Sequence, residues 1–272
     1  MQDEQVVTME AHNQDGHRPS SVRQTVPWHW GDLGKAVGLI VIGSVLLMAA
    51  VMALLVLTNR VPAETANLAA GPIFLLGIGV YAIVVIAVYL FAVRRHPAPG
   101  STAHAVSGWS ALGWRGFETK WIWALPPLLF LQFAGMALVN LLIVAPLVGG
   151  DYQNPQIEAI TGGSALSLRD LLFLMVLIAV VAPVAEELFF RGMLYPLLRQ
   201  RWAMWPAILL NGLLFSLIHF LPPLLPGLFI VGVVLAWVRD RSGSLIPGIL
   251  LHALQNGIVL WGMYQLASGA VM

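Results

Sequence analysis

Long runs of apolar residues, separated by short polar connections, dominate the chain after its first 35 residues. A helix needs about 20 such residues to cross the hydrocarbon core of a bilayer, and its backbone amides must all bond within the helix. Seven runs approach or exceed this length: 36–58, 73–93, 121–147, 171–198, 203–220, 224–238 and 245–266. The pattern predicts an all-α fold, a polytopic membrane helix bundle of about seven transmembrane helices.

The composition favours the same interpretation, because 58% of the 272 residues are hydrophobic and only 10% are charged. A soluble domain usually carries about 25% charged residues, so this chain cannot cover a compact surface that faces water. The net charge of +1 provides no basic surface for DNA or RNA, and we expect no nucleic-acid partner. The absence of cysteine excludes disulfides and thiolate metal sites.

Lys and Arg in the connections predict the orientation of the bundle. Counted over alternate connections, 12 of the 14 basic residues fall on one side of the seven predicted spans. We therefore expect a multi-pass protein of a bacterial plasma membrane, with a cytoplasmic N-terminus and an external C-terminus. Residues 1–35 are polar and indicate a disordered cytoplasmic tail. Residues 36–147 are expected to form N-terminal transmembrane helices, with a linker rich in Pro, Gly and Ser near 96–116.

Ionisable side chains are rare within the predicted spans. They are Glu186, Glu187 and Arg191 in the fourth span, His219 in the fifth and His252 in the seventh. Burying an ionisable side chain costs about 2.5–3.5 kcal/mol at the centre of a bilayer, so each one is a candidate functional residue. The first three spans carry no charge, which predicts that the chemistry lies in the C-terminal half.

Glu187 and Arg191 are four residues apart, so their side chains meet on one helix face and can form an ion pair. Glu186 is then left without a local cation, and a desolvated carboxylate of this kind suits a general base. Pro183 removes a backbone hydrogen bond and is expected to open the helix towards a cavity. The alternative is a cytoplasmic helix end that carries a surface Glu–Arg pair.

The histidines occur with polar or aromatic neighbours at helical spacing. His219 lies one turn after Phe215, so an aromatic ring is expected beside it. His252 and Asn256 share a face of the seventh span, and both can donate hydrogen bonds to an oxyanion. The alternative for His219 is a hydrogen-bonded residue that only packs between helices. The alternative for His252 and Asn256 is a pair of polar contacts between helices. By helical rise, these side chains lie away from both membrane surfaces, within reach of one water-filled cavity.

Taken in order, these residues resemble the CPBP family of intramembrane proteases, also called the CAAX-protease and bacteriocin-processing family or the Abi family. The family's Glu-Glu-x-x-x-Arg motif corresponds to residues 186–191, its Phe-x-x-x-His motif to 215–219 and its His-x-x-x-Asn motif to 252–256. Three motifs in this order, each in its own apolar span, are a specific signal. They indicate that residues 168–266 form a catalytic helix bundle of this type.

The resemblance implies an intramembrane endopeptidase that hydrolyses a peptide bond in a membrane-associated protein or peptide. It implies that Glu186 activates the attacking water with help from His219. It also implies that His252 and Asn256 stabilise the oxyanion of the tetrahedral intermediate. Glu187 and Arg191 would then hold the catalytic side chains in position.

Two alternatives stay open from the sequence. Glu186, His219 and His252 could form a zinc site with an open fourth position, although the chain has no His-Glu-x-x-His sequence. We expect hydrolysis without a metal or another cofactor. A non-proteolytic membrane scaffold or immunity protein of the same family would instead keep the polar cluster as contacts between helices.

Overall fold

The computed structural model describes residues 26–58, 70–95, 108–149 and 167–267. These residues form helices joined by short connections, and no β-strand occurs among them. The helices along the described chain are α1 (Trp30–Leu57), α2 (Ala70–Val88), α3 (Trp109–Leu112), α4 (Lys120–Val148), α5 (Leu168–Arg201), α6 (Met204–Leu217), α7 (Pro222–Ser242) and α8 (Ile246–Ala267). The predicted polytopic all-α bundle is confirmed.

Six of these helices, all except α3 and α6, are long and apolar enough to cross a membrane. The 14 residues of α6 rise only about 21 Å, compared with about 30 Å for the hydrocarbon core. The predicted fifth span, 203–220, therefore extends beyond the C-terminal end of α6 at Leu217. Phe220 adopts a left-handed φ of 52°, and Pro222 and Pro223 follow it, so the helix cannot continue.

The predicted disordered tail is wrong over its last ten residues, because α1 begins at Trp30. The indole of the buried Trp28 donates a hydrogen bond to the Met193 carbonyl at 2.9 Å. Asp32, in the first turn of α1, forms an ion pair with Arg95. These contacts hold the start of the first helix against the bundle. Residues 1–25 of the predicted tail lie outside the described residues.

The connections predicted near 96–116 and after 238 also differ from the structure. Residues 96–107 lie outside the described residues, but α3 follows them and buries Leu112 in the core. Arg239 was expected in a loop, yet α7 continues through it and its side chain is buried. Its guanidinium donates to the carbonyls of Arg191 and Leu112, each at 3.1 Å. These acceptors allow the charge to be buried, because an unpaired one would be costly.

Helix ends that carry basic residues gather at one face of the bundle. Four contacts join them: the ion pairs Arg95–Asp32 and Arg199–Asp240, the stacking of Arg201 on Trp30, and a hydrogen bond from Arg115 to the Gly243 carbonyl. The start of α1 and the ends of α2, α5 and α7 therefore share this basic face. The Leu245 amide, just before α8, donates to the Gly113 carbonyl at 2.9 Å. The helix α8 therefore begins beside the basic face, and its C-terminal end points away from that face.

We expect the basic face to be cytoplasmic and the C-terminus to lie on the external side. Alkaline phosphatase, which is active only outside the cytoplasm, should therefore be active when fused after Met272. The same enzyme fused ahead of residue 1 should be inactive and serves as the control. An inactive C-terminal fusion at normal expression would show that the short α6 does not carry the chain across the membrane.

The helices α6 and α7 pack with their backbones in contact. A Cβ atom added to Gly232 would lie 2.7 Å from the Cα atom of Gly212, so both positions need a residue without a side chain. Small residues allow such an approach between membrane helices. The approach also places the Gly232 carbonyl 2.9 Å from Nη2 of Arg191, which donates to it. The α6–α7 pair is thereby tied to α5.

Candidate active site

A cavity of about 190 Å³ lies between α2, α5, α6, α7 and α8. Four of the six predicted site residues line it: Glu186, His219, His252 and Asn256. The other two, Glu187 and Arg191, lie beside them in the protein interior. The structure thus brings all three motifs to one place, although they come from three different helices.

Glu187 and Arg191 form the predicted ion pair inside the bundle. Nη1 of Arg191 lies 2.8 Å from Oε1 of Glu187, and the two side chains are 0% and 1% exposed. A surface pair at a helix end is therefore excluded. The Arg191 guanidinium also lies 4.5 Å from the ring centre of Phe215, in a cation–π contact. The arginine thus holds the glutamate and packs against the second motif.

Glu187 also orients His252, a role that the sequence did not predict. Nδ1 of His252 lies 3.2 Å from Oε1 of Glu187, the oxygen that Arg191 also contacts. Because a carboxylate oxygen only accepts, Nδ1 carries a proton, and Nε2 is directed elsewhere. Nε2 of His252 lies 3.8 Å from Oε2 of Glu186. The two glutamates therefore contact opposite sides of one imidazole.

His219 follows the end of α6, where the helix stops before Phe220. Its Nδ1 lies 2.9 Å from the Phe215 carbonyl, and a carbonyl accepts, so Nδ1 carries the proton. On a neutral ring, Nε2 is then a free acceptor. The expected aromatic neighbour is confirmed, since the Phe215 ring centre lies 5.1 Å from that of His219 and 5.7 Å from that of His252. The Phe215 ring therefore packs against both imidazoles.

Asn256 fills a gap in the hydrogen bonding of α5. Its Nδ2 donates to the Ile178 carbonyl at 2.9 Å. Ile178 lies in the π-helical turn Leu177–Val181, in which a carbonyl accepts from the residue five positions later. For Ile178 that residue is Pro183, which has no N–H group. One amide hydrogen of Asn256 is thus used structurally, and one is left on a side chain that lines the cavity.

Two polar residues of the cavity wall, Tyr81 and Gln255, were not predicted from the sequence. The Tyr81 hydroxyl, on α2, donates to Oε1 of Glu186 at 3.0 Å, so Glu186 has a partner and the N-terminal helices contribute to the site. Gln255 is buried on the cavity wall, and its Oε1 has no hydrogen-bond partner among the described residues. A signal existed for Tyr81, because a tyrosine in mid-span is unusual for a residue that favours the membrane surface.

The predicted zinc ligands do not form a metal-binding cluster. Glu186, His219 and His252 face the same cavity, but no group of three His, Cys, Asp or Glu side chains within the described ranges is arranged to hold a metal ion. Oε1 of Glu186 accepts from the Tyr81 hydroxyl, and Nδ1 of each histidine bonds to the Phe215 carbonyl or the Glu187 carboxylate, so these bonds do not use Oε2 or either Nε2 atom. In this conformation the three side chains do not form a three-ligand zinc site.

Comparison with known proteins agrees with the geometry. Residues 168–258 match the family model of the Rce1-like proteins, described as type II CAAX prenyl endopeptidases. The resemblance to the CAAX-protease family is confirmed. The matched segment contains all three motifs and leaves out α1 to α4.

One curated relative and the solved structures complete the comparison. An uncharacterized 24.3 kDa protein of Escherichia coli is 36% identical over 91 residues, which are 32% of this chain and 42% of that protein. The chain therefore matches less than half of the length of this relative. No solved structure matches the chain.

Proposed function

We propose that this protein is an intramembrane endopeptidase that hydrolyses a peptide bond in a membrane-associated protein or peptide. The observation that carries the proposal is the single cavity lined by Glu186, His219, His252 and Asn256. Together they supply a carboxylate, two imidazoles and an amide, and hydrolysis of an amide needs a base and oxyanion donors. The match of residues 168–258 to a family of membrane endopeptidases supports the same reaction class.

In this proposal Glu186 is the general base. Its Oε1 accepts from Tyr81, so Oε2 is the oxygen available to take a proton from water. Nε2 of His219 accepts the second hydrogen of that water and holds it for attack on the substrate carbonyl carbon. After the attack, the proton on Glu186 passes to the leaving amine as the C–N bond breaks. The other product is a carboxylic acid, which becomes a carboxylate when the second hydrogen of the water passes to Nε2 of His219, and the leaving group departs as an amine.

His252 and Asn256 stabilise the oxyanion of the tetrahedral intermediate. The second amide hydrogen of Asn256 is available, because only one donates to the Ile178 carbonyl. His252 donates from Nε2 when both of its ring nitrogens carry protons. Glu187 and Arg191 hold this imidazole in place.

A library of membrane peptides tests the proposal. The purified protein in lipid should cleave a subset of the peptides, and the Glu186→Ala protein should cleave none of them. The same two proteins should have equal folded yield. Intact peptides after incubation with wild type would favour the alternative of a non-proteolytic scaffold, in which the polar residues only join helices.

We further propose that the reaction does not need a metal. Chelators should leave the activity of wild type intact, and elemental analysis of active protein should find less than one zinc per chain. The physical reason is that the proposed base and oxyanion donors are side chains already present in the cavity. The metal-free mechanism would be overturned if active protein held stoichiometric zinc and lost both the zinc and its activity on chelation. The proposal of an endopeptidase would still hold.

A further inference from the structure

We infer that Tyr81 is a positioning residue for Glu186, supplied to the site by a helix outside the segment that matches the endopeptidase family. This inference rests on the proposed function, in which Glu186 is the base. The hydroxyl of Tyr81 lies 3.0 Å from Oε1 of Glu186, and the side chain lines the cavity. Residue 81 lies 87 positions before the matched segment begins at 168.

The position of Tyr81 is fixed by close packing of α2 against α5. Gly77, one turn before Tyr81, approaches Leu177 so closely that a Cβ atom on the glycine would lie 2.6 Å from the leucine Cδ2 atom. One turn earlier, the ring of Phe74 stacks on that of Phe173, with 5.2 Å between the ring centres. The spacing 74, 77 and 81 places these residues on one helix face. That face of α2 meets the helix that carries Glu186.

The hydrogen bond makes the two oxygens of Glu186 unequal. Oε1 accepts from the hydroxyl, while Oε2 lies 3.8 Å from Nε2 of His252, and the Glu186 side chain lines the cavity. One oxygen is thereby held and the other is left for the water. Tyr81 therefore acts through Glu186 and not on the substrate.

Tyr81→Phe tests this role with little disturbance, because the ring that packs in the bundle is kept. Loss of a hydrogen bond to a charged group should lower kcat by about 10- to 100-fold. KM should stay within about twofold, because the substrate does not contact the lost hydroxyl. Tyr89→Phe is the matched control, since it makes the same change just after α2, on an exposed ring that stacks on Trp109. It should leave both constants unchanged.

A second measurement does not depend on activity. An apolar carbodiimide reacts with a carboxyl group in a membrane protein, and mass spectrometry counts the label on Glu186. Tyr81→Phe should raise the labelling rate about tenfold, because the hydroxyl no longer holds Oε1 of Glu186. The other titratable or charged groups around Glu186 are Glu187, Arg191, His219 and His252, and all are unchanged in both tyrosine variants.

The outcomes separate the two claims. If Tyr81→Phe has the same kcat and the same labelling rate as wild type, the positioning role is overturned. The proposed function still holds in that case if wild type cleaves peptides and Glu186→Gln does not. A wild-type protein that cleaves no peptide would overturn the proposed function and, with it, the catalytic role of Tyr81. A fall in kcat with faster labelling supports the inference, and an equal fall for Tyr89→Phe contradicts it.

Discussion

Replacing Glu186 with Gln is expected to lower the rate of peptide hydrolysis by about 10²–10⁴-fold, the usual contribution of a general base. The amide keeps the size of the carboxylate, and its oxygen can still accept from Tyr81, but it cannot take a proton from water. The protein should still fold, because a neutral amide costs less to bury than a charged carboxylate. Initial rates on one cleaved peptide, with protein in lipid and matched amounts of folded chain, measure the effect.

Asn256→Ala is the comparison for this variant. It removes one oxyanion donor, and such losses typically lower the rate by about 10²–10³-fold. It also leaves the Ile178 carbonyl without its side-chain donor, so its thermal stability is measured in parallel. A Glu186→Gln protein that retains the wild-type rate would show that another group activates the water.

Loss of either member of the Glu187–Arg191 pair is expected to destabilise the protein by about 3–5 kcal/mol, because the partner is left as an uncompensated buried charge. Glu187→Gln and Arg191→Met should both lower the folded yield in membranes more than Glu186→Gln does. The arginine variant should have the larger effect, because the guanidinium also donates to the Gly232 carbonyl and lies against the Phe215 ring. Size-exclusion profiles and melting temperatures in detergent measure the difference.

An exposed ion pair of the same chain provides the matched control. Lys120 and Glu118 lie 2.8 Å apart, and their side chains are 66% and 72% exposed. Such pairs contribute about 0–1 kcal/mol, so Glu118→Gln should change the melting temperature little. Equal stability for the Glu187, Arg191 and Glu118 variants would contradict the buried pair that the structure describes.

Much of the fold and of the site could be predicted from the sequence, because both follow from local rules. Apolar runs of about 20 residues give membrane helices, since backbone groups in lipid must bond within the helix. Spacing of four residues gives side chains on one face, which is how Glu187 meets Arg191 and how Phe215 meets His219. The same rules locate a few charged side chains on apolar membrane helices. Because only paired or functional charges are tolerated there, these side chains could be predicted as site residues.

The contacts between distant helices could not be predicted in this way. Tyr81 is neutral and joins Glu186 across 105 positions, so the pattern of charged residues and histidines along the chain does not indicate it. The double role of Glu187 was missed for a similar reason, because its contact with His252 depends on how α5 and α8 pack. The π-helical turn before Pro183, which gives Asn256 its partner, also depends on packing.

Two helix ends, those at Arg239 and at the start of α1, were a further source of error, and the physical reason is the same at both. Arg239 was placed in a loop because a charge usually ends a span, but carbonyls from α3 and α5 surround its guanidinium. The start of α1 was assigned to a polar tail, but Trp28 and Asp32 find partners in the bundle. In both cases a polar group is buried because a distant segment pairs with it, which local sequence does not show.

The measurement that tests the central claim most directly is peptide cleavage in water enriched in ¹⁸O, with wild type and Glu186→Gln side by side in lipid. A water activated by Glu186 should place one ¹⁸O atom in the new C-terminal carboxylate of the N-terminal fragment, and mass spectrometry detects the two-dalton increase. We expect labelled products from wild type and almost none from Glu186→Gln. Labelled products formed equally by both proteins, or intact peptides with both, would contradict the account.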